Sequence, residues 1–145
     1  MKVLLAVDDS QFSEAATQAV VQHVRAKDAE VYVLNVVDLA LPIPTSYAAG
    51  FRQESLRQGN ELVQGIEEVL QKAGYTVQTA VEEGYPKSVI LDRAARWNAD
   101  LIVVGTHGRR GADRFLMGSV AESVARHAPC SVLIVRNALI RRDLI

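Results

Sequence analysis

Apolar and polar positions follow two patterns along the chain, which predict strands and helices in turn. Five short apolar runs have the length of strands, and most are continuous, as in strands covered on both faces of a parallel sheet. The third run alternates apolar and polar residues, as a half-exposed edge strand does. The predicted strands are Val3–Val7, Val31–Val37, Val77–Val81, Leu101–Val104 and Val132–Val135.

Apolar residues at helical spacing fill the intervals between these runs. The predicted helices are about Ser13–Lys27 and Gln53–Ala73, a third that begins near Pro86, and Ser119–His127. Ser10 or Ser13 is available to cap the first helix, and Gly74 fits the position just after the second. Leu39–Phe51, which contains two prolines and a glycine, is expected to be a long irregular loop of the kind that often covers a site.

The alternating elements predict the order βαβαβαβαβ, with right-handed crossovers and helices on both faces of one sheet. Ligands of open α/β sheets bind beyond the carboxyl ends of the strands, where the strand order reverses. The richest polar and glycine-rich sets follow the first strand, at Asp8-Asp9-Ser10, and the fourth, from Gly105 to Gly111. We therefore predict a single α/β domain over residues 1–145. Its open five-stranded parallel sheet has the order 3-2-1-4-5 rather than 2-1-3-4-5.

Composition narrows the class of protein. Of 145 residues, 49% are hydrophobic and 23% charged, with a formal net charge of −1. These values exclude a disordered chain and give no global attraction to nucleic acid or an acidic membrane. The one cysteine, Cys130, excludes an intrachain disulfide and is expected to be a core thiol. No apolar run approaches the ~20 residues of a membrane span, and the apolar stretch before Asp8 is short for a signal peptide. We expect a soluble cytoplasmic protein without nucleic-acid or membrane partners.

The segment after the fourth strand combines spaced glycines with a helix start. Gly105, Gly108 and Gly111 remove side chains, and Gly118-Ser119 opens the fourth helix. Glycines allow N–H groups to approach an anion closely, and a helix N-terminus adds donors and partial positive charge. The sequence thus predicts a phosphate site with the Ser119 hydroxyl as a further donor. The alternative is that the glycines serve turns and Ser119 only caps the helix.

Two common nucleotide signatures are excluded. A Walker A loop needs Gly-Lys-Ser/Thr, but Gly118 follows Met117 and precedes Ser119 directly. A dinucleotide fingerprint needs glycines after the first strand, where this chain has Asp-Asp-Ser.

The spacing Gly105-x2-Gly108-x9-Gly118-Ser119 resembles the nucleotide-binding signature of the universal stress protein family. The flanking segments agree over essentially the whole chain: AVDDS, NVV, VVGTHGRRG and GSVAESVARHAPCSVLIVR. The resemblance implies a nucleotide-dependent stress-response or signalling module that binds ATP or ADP, with Mg²⁺ as an option.

The resemblance also implies roles for single residues. Asp8 matches the acidic residue that accepts hydrogen bonds from the ribose hydroxyls, a suitable task for a carboxylate. Arg109 falls within the glycine loop, where its charge would neutralise phosphate. The other matched positions contact adenine (Ala6, Val7, Val36), lie beside the ribose and α-phosphate (Val104, Gly105), or bind the phosphates (Gly108, Gly118, Ser119, Val120).

The resemblance further implies a homodimer that pairs through the edge of the fifth strand, Ser131–Arg136.

Two alternatives to this function stay open. One is slow Mg²⁺-dependent ATP hydrolysis, in which Asp8 or Asp9 holds the metal and His107 orients water; without a Walker lysine or an evident base, hydrolysis is expected to be slow. The other is a structural role without nucleotide. We interpret Asp8 as a ribose ligand rather than a metal ligand, and His107 as a solvated loop residue.

Overall fold

The computed structural model describes residues 1–39, 45–107 and 117–136. Within these ranges the strands are β1 (Lys2–Val7), β2 (Glu30–Asp38), β3 (Thr76–Gly84), β4 (Leu101–Gly105) and β5 (Ser131–Val135). The α-helices there are α1 (Gln11–His23), α2 (Ala48–Lys72), α3 (Pro86–Trp97) and α4 (Ser119–His127), with short 3₁₀ turns at Ala26–Asp28 and Thr45–Tyr47. All of the predicted strands and helices are present.

The strands form one parallel sheet in the order β3-β2-β1-β4-β5, which confirms the predicted topology. β1 pairs with β2 on one side and with β4 on the other, where Leu5 lies opposite Val103. The strand order therefore reverses between β1 and β4. Because both strands run in the same direction, the residues that follow Val7 and Gly105 emerge at the same edge of the sheet.

Neighbouring residues of β1 enter two different hydrophobic layers, as the pleat of a strand requires. Val3 and Leu5 join a cluster with buried residues of α1 and α2, whereas Leu4 joins a cluster with buried residues of α3 and α4. All three side chains are fully buried. The sheet is thus covered by helices on both faces, as the continuous apolar runs predict.

Local end signals set the bounds of α2 and α4. After α2, Gly74 takes φ +97°, and its N–H donates to the Gln71 carbonyl while the Tyr75 N–H donates to the Leu70 carbonyl. These two bonds form a Schellman motif, so the predicted role of Gly74 is confirmed. The bounds of α4 are those predicted, with Pro129 just beyond its end.

The predicted bounds of α1 are wrong at both ends. The helix begins at Gln11, with Ser10 at the N-cap position, and it ends at His23 rather than Lys27. Val24 is extended, and residues 26–28 form a separate 3₁₀ turn. The apolar spacing continues past His23, but the chain turns there to enter β2.

α2 starts at Ala48 rather than Gln53, so the irregular segment after β2 is shorter than predicted; residues 40–44 lie outside the described ranges. Alanine at positions 48 and 49 favours the added turn. Arg52 in this turn forms an ion pair with Glu83 of β3, with 2.8 Å between Nε and Oε2.

β3 is an edge strand, as its alternation predicts, but it runs on to Gly84. Glu82 and Glu83, which sequence reasoning placed after the strand, instead pair with Val36 and Val37 of β2. Arg93 of α3 donates to Glu82 at 2.8 Å. Glu82 is thus paired with Arg93 and Glu83 with Arg52, so each acidic residue has a cationic partner.

None of the helices in the described ranges is long and apolar enough to cross a membrane.

Tyr75 joins the start of β3 to the end of α1, and its removal gives a stability prediction. The buried hydroxyl donates to the Val20 carbonyl at 3.0 Å and to that of Val24, and burial raises the pKa of Tyr75. We expect Tyr75→Phe to lower the free energy of unfolding by about 1 kcal/mol, because these carbonyls lose a donor. Urea unfolding measures this, with the exposed Tyr85→Phe as control. Equal effects at the two tyrosines would contradict the assignment.

Candidate functional site

Three segments meet where the strand order reverses. Asp8 directly follows β1, and Gly105 is the last residue of β4. The chain returns to this point at the start of α4, where the Gly118 N–H donates to the Thr106 carbonyl at 2.6 Å. We call Asp8–Ser13, Gly105–His107 and Gly118–Ser119 together the switch-point edge.

The carboxylate of Asp8 is held by the turn that leads into α1. Its Oδ1 accepts the Ser10 N–H and the Ser13 hydroxyl, each at 2.9 Å. The Ser13 Oγ in turn accepts the Asp8 N–H at 2.7 Å. The partial positive charge of the α1 N-terminus favours a carboxylate at this position. The two donors on Oδ1 orient the carboxyl group. Because Asp8 is only half-buried, the group also lies close to solvent.

Gly105 and Gly118 allow close approaches between backbone segments. A Cβ at Gly105 would lie 2.7 Å from the Cβ of Phe12 and 3.0 Å from its carbonyl oxygen. A Cβ at Gly118 would lie 2.8 Å from the Thr106 carbonyl oxygen. Gly118 has φ −64°, so it is the space rather than the backbone conformation that demands glycine there. Both glycines thus have a packing role that is independent of any ligand.

Ser119 does not occupy the capping position of α4. Gly118 is the N-cap residue, and Ser119 is the first residue of the helix, so the interpretation of Ser119 as the cap is wrong. Ser119 is exposed and Val120 half-buried. The first N–H groups of a helix have no partner within it, so this end of α4 offers donors at the switch-point edge.

The apolar residues that the resemblance assigns to the site divide between the two faces of the sheet. Ala6, Val36, Val104 and Val120 belong to the cluster on the α3 and α4 side, and Val7 belongs to the other. Val104 and Val7 are only 3% and 6% exposed. Their side chains are occupied by the core, so only their backbone groups are available to a ligand.

Part of the predicted site lies outside the described residues. Residues 108–116 are not described, and this range contains Gly108, Arg109, Gly111 and the arginines at positions 110 and 114.

The expectation that His107 is a solvated loop residue is wrong. The residue is 9% exposed, and its ring packs on Phe12 with 5.2 Å between the ring centroids. Within the described ranges neither ring nitrogen has a hydrogen-bond partner. The flanking glycines suggest an open loop, but the aromatic ring that covers His107 comes from α1, far away in sequence.

Residues 1–39, 45–107 and 117–136 contain no group of three His, Cys, Asp or Glu side chains that could hold a metal ion. Cys130 is half-buried, and burial, with the nearby charge of Asp100, raises the pKa of its thiol. A raised pKa leaves little reactive thiolate, in accord with a core thiol.

Sequence reasoning missed two residues that support the site. Ser13 was considered only as a helix cap, although its hydroxyl binds Asp8. Asn35 is buried in β2, and its Nδ2 donates to the Val7 carbonyl at 2.9 Å, which fixes the backbone just before Asp8. The signal for Asn35 was present as a single amide within the apolar run VYVLNVV.

Comparison with known sequences agrees with this architecture. Residues 1–136 match the universal stress protein family. A putative universal stress protein of Staphylococcus aureus (strain USA300) is 40% identical over 144 residues, which cover 97% of this chain and 87% of that protein. One from Staphylococcus haemolyticus is 38% identical over the same shares.

Solved structures give the same result. A universal stress protein from Lactobacillus plantarum has a TM-score of 0.80 at 26% identity, over 94% of this chain and 97% of that one. A universal stress protein in complex with cAMP has a TM-score of 0.72 at 24% identity, over 94% and 97% of the two chains. A family protein from Arabidopsis thaliana with AMP bound has 0.72 at 20%, over 94% and 92%. The last two likenesses show a shared fold. Since the family match covers nearly the whole chain and close relatives carry the same name, this chain belongs to the universal stress protein family.

Proposed function

We propose that the chain binds an adenine nucleotide at the switch-point edge and acts as a nucleotide-dependent module in stress response or signalling. One observation carries the proposal: the oriented carboxylate of Asp8 and the N-terminus of α4 both lie at the edge where the strand order reverses. Two proteins of the same fold support the choice of adenine nucleotide, since one is described with cAMP and the other with AMP bound.

Each part of the edge suits one part of a nucleotide. Asp8 would accept hydrogen bonds from the ribose hydroxyls, because a carboxylate offers only acceptors. The first N–H groups of α4 and the Ser119 hydroxyl would donate to the phosphates, and the helix dipole favours their charge. The half-buried Ala6 and Val36 would border the adenine. We extend the phosphate contacts to Gly108 and Arg109, and the ligand to ATP or ADP with Mg²⁺, on the family signature alone.

Thermal unfolding with and without AMP, ADP and ATP, with Mg²⁺ present, tests the proposal. A ligand at about 100 times its dissociation constant adds about 2.7 kcal/mol to the free energy of unfolding. For a chain of this size we expect the unfolding midpoint to rise by about 10 °C. Guanine nucleotides serve as the control for adenine recognition. If no adenine nucleotide raises the midpoint and calorimetric titration shows no binding heat, the proposal is wrong.

We also propose that residues 1–145 form one cytoplasmic domain that pairs as a homodimer through the β5 edge, Ser131–Arg136. Within the described ranges β5 pairs with β4 alone, and Val132–Val135 are only half-buried. An edge strand of this kind is suited to pairing with a second copy. Sedimentation velocity over a range of concentrations is expected to show a dimer, and a monomer throughout would contradict the assembly.

A further inference from the structure

The Ser13 hydroxyl contacts Asp8 through two hydrogen bonds. The Ser13 side chain is 6% exposed in the first turn of α1, and its Oγ accepts the Asp8 N–H at 2.7 Å. The same Oγ donates to Asp8 Oδ1 at 2.9 Å. A hydroxyl has one proton and two lone pairs, so both bonds form together without competition. The two bonds together therefore fix the torsion angle of the Ser13 hydroxyl.

These bonds determine how the Asp8 carboxyl group is turned. Oδ1 also accepts the Ser10 N–H at 2.9 Å, which closes an Asx turn. A carboxylate is planar, so two donors on Oδ1 set the direction in which both of its oxygens face. The N–H of Ser10 belongs to the backbone and stays in every variant, whereas the hydroxyl of Ser13 can be removed by substitution.

We propose that Ser13 is a positioning residue that makes the site selective for ribonucleotides, an inference that rests on the proposed nucleotide binding. Ser13 holds the Asp8 carboxylate in the orientation that accepts the ribose hydroxyls. Without the Ser13 hydroxyl, the carboxylate keeps its charge but loses one of the donors that orient it. The ribose hydroxyls then gain less from binding, while the adenine and phosphate contacts are unchanged.

Thr17 provides a matched control for loss of a buried hydroxyl. It lies one turn further along α1, is 4% exposed, and its Oγ1 donates to the Ser13 carbonyl at 2.9 Å. Ser13→Ala and Thr17→Val each remove one buried hydroxyl from the same helix. A loss of stability is therefore expected in both variants, whereas a loss of ribose recognition is expected in Ser13→Ala alone.

The test is calorimetric titration of the full chain with AMP and with its 2′,3′-dideoxy analogue, well below the unfolding midpoint. The ratio of the two affinities measures ribose recognition. We expect Ser13→Ala to lower this ratio by about threefold to tenfold, the worth of one net hydrogen bond. Ser13→Thr, which keeps the hydroxyl, should restore much of it. In an Asp8→Ala background, Ser13→Ala should change nothing further, because the group that it positions is gone.

Each outcome has a separate meaning. A wild-type chain that binds none of AMP, ADP and ATP refutes the proposed function, and this inference with it. If it binds ADP or ATP but not AMP, the same ratio is measured with that nucleotide and its dideoxy analogue. Equal affinity of the wild type for the nucleotide and its dideoxy analogue refutes this inference alone. A wild-type chain that prefers AMP, with an unchanged ratio in Ser13→Ala or an equal fall in Thr17→Val, refutes the positioning role alone. If Ser13→Ala does not fold, Ser13→Cys replaces the hydroxyl with a weakly donating thiol of similar shape, and an unchanged ratio there refutes the role equally.

Discussion

Asp8→Ala is expected to weaken the binding of adenine nucleotides by about 10- to 150-fold. Hydrogen bonds that involve a charged group contribute about 1.5–3 kcal/mol each, and 1.4 kcal/mol is a factor of ten in affinity. Asp8 combines such a charge with a fixed orientation, because the Ser10 N–H and the Ser13 hydroxyl both donate to its Oδ1. Calorimetric titration with AMP and ATP measures the loss directly.

The neighbouring acid provides the control for charge. Asp9→Ala makes the same change in net charge one residue away, at an exposed position. We expect it to change affinity by less than about threefold, since exposed charges interact weakly through water. Asp8→Asn keeps one oxygen for the donors of the turn and is expected to lie between wild type and Asp8→Ala. Equal losses at Asp8 and Asp9 would point to general electrostatic attraction and would contradict a ribose contact.

The sheet and the edge at which its strand order reverses were predictable from the sequence because both depend on local patterns. Continuous apolar runs predicted the buried strands β1, β2 and β4, and the one alternating run is the edge strand β3. The run of β5 is also continuous, although β5 is the other edge strand and is only half-buried. Polar residues and glycines after the first and fourth strands indicated where the strand order reverses. The bounds of α4 followed from Gly118 before it and Pro129 after it, two signals that act within a single turn.

Several contacts at and near the site could not be predicted because they depend on the folded arrangement of the chain. The ion pair between Arg52 of α2 and Glu83 of β3 joins residues that no local pattern connects, although the alanines at positions 48 and 49 are a local signal for the added turn of α2. His107 is buried because Phe12 packs against its ring. Ser13 lies five positions after Asp8, and only the turn between them shows that it orients the carboxylate rather than capping the helix. Each of these three contacts forms only once the elements have folded together.

The glycines of the candidate site show the same limit of sequence reasoning, which does not identify the group that packs against a residue. Their spacing indicated that something approaches the backbone closely, and the structure supplies one such partner for each of two glycines. At Gly105 the partner is Phe12 of α1, and at Gly118 it is the Thr106–His107 backbone. Sequence reasoning recognised the need for space but assigned it to a ligand. Part of the family signature therefore consists of residues that let α1 and α4 pack at the site.

Gly105→Ala is expected to lower the free energy of unfolding by about 1–3 kcal/mol, the usual cost of forcing extra volume into a packed interior. The added Cβ would lie 2.7 Å from the Cβ of Phe12 and 3.0 Å from its carbonyl oxygen, so α1 must move away from β4. The matched control is Gly65→Ala in α2, where the added Cβ meets nothing within 4 Å. There we expect a gain of about 0.5–1 kcal/mol, because alanine is the better helix former. Urea unfolding compares the two variants.

The same pair of variants separates packing from ligand contact at Gly105. If its space serves α1, Gly105→Ala loses stability in the absence of nucleotide, and affinity falls only as far as the shift of α1 moves Ser13 away from Asp8. If its space serves the ligand, the variant keeps wild-type stability and loses affinity. Opposite signs of the stability change at Gly105 and Gly65 would establish the packing role. A Gly105→Ala variant that keeps wild-type stability but loses binding would contradict the packing role, because the clash with Phe12 exists whether or not a nucleotide is bound.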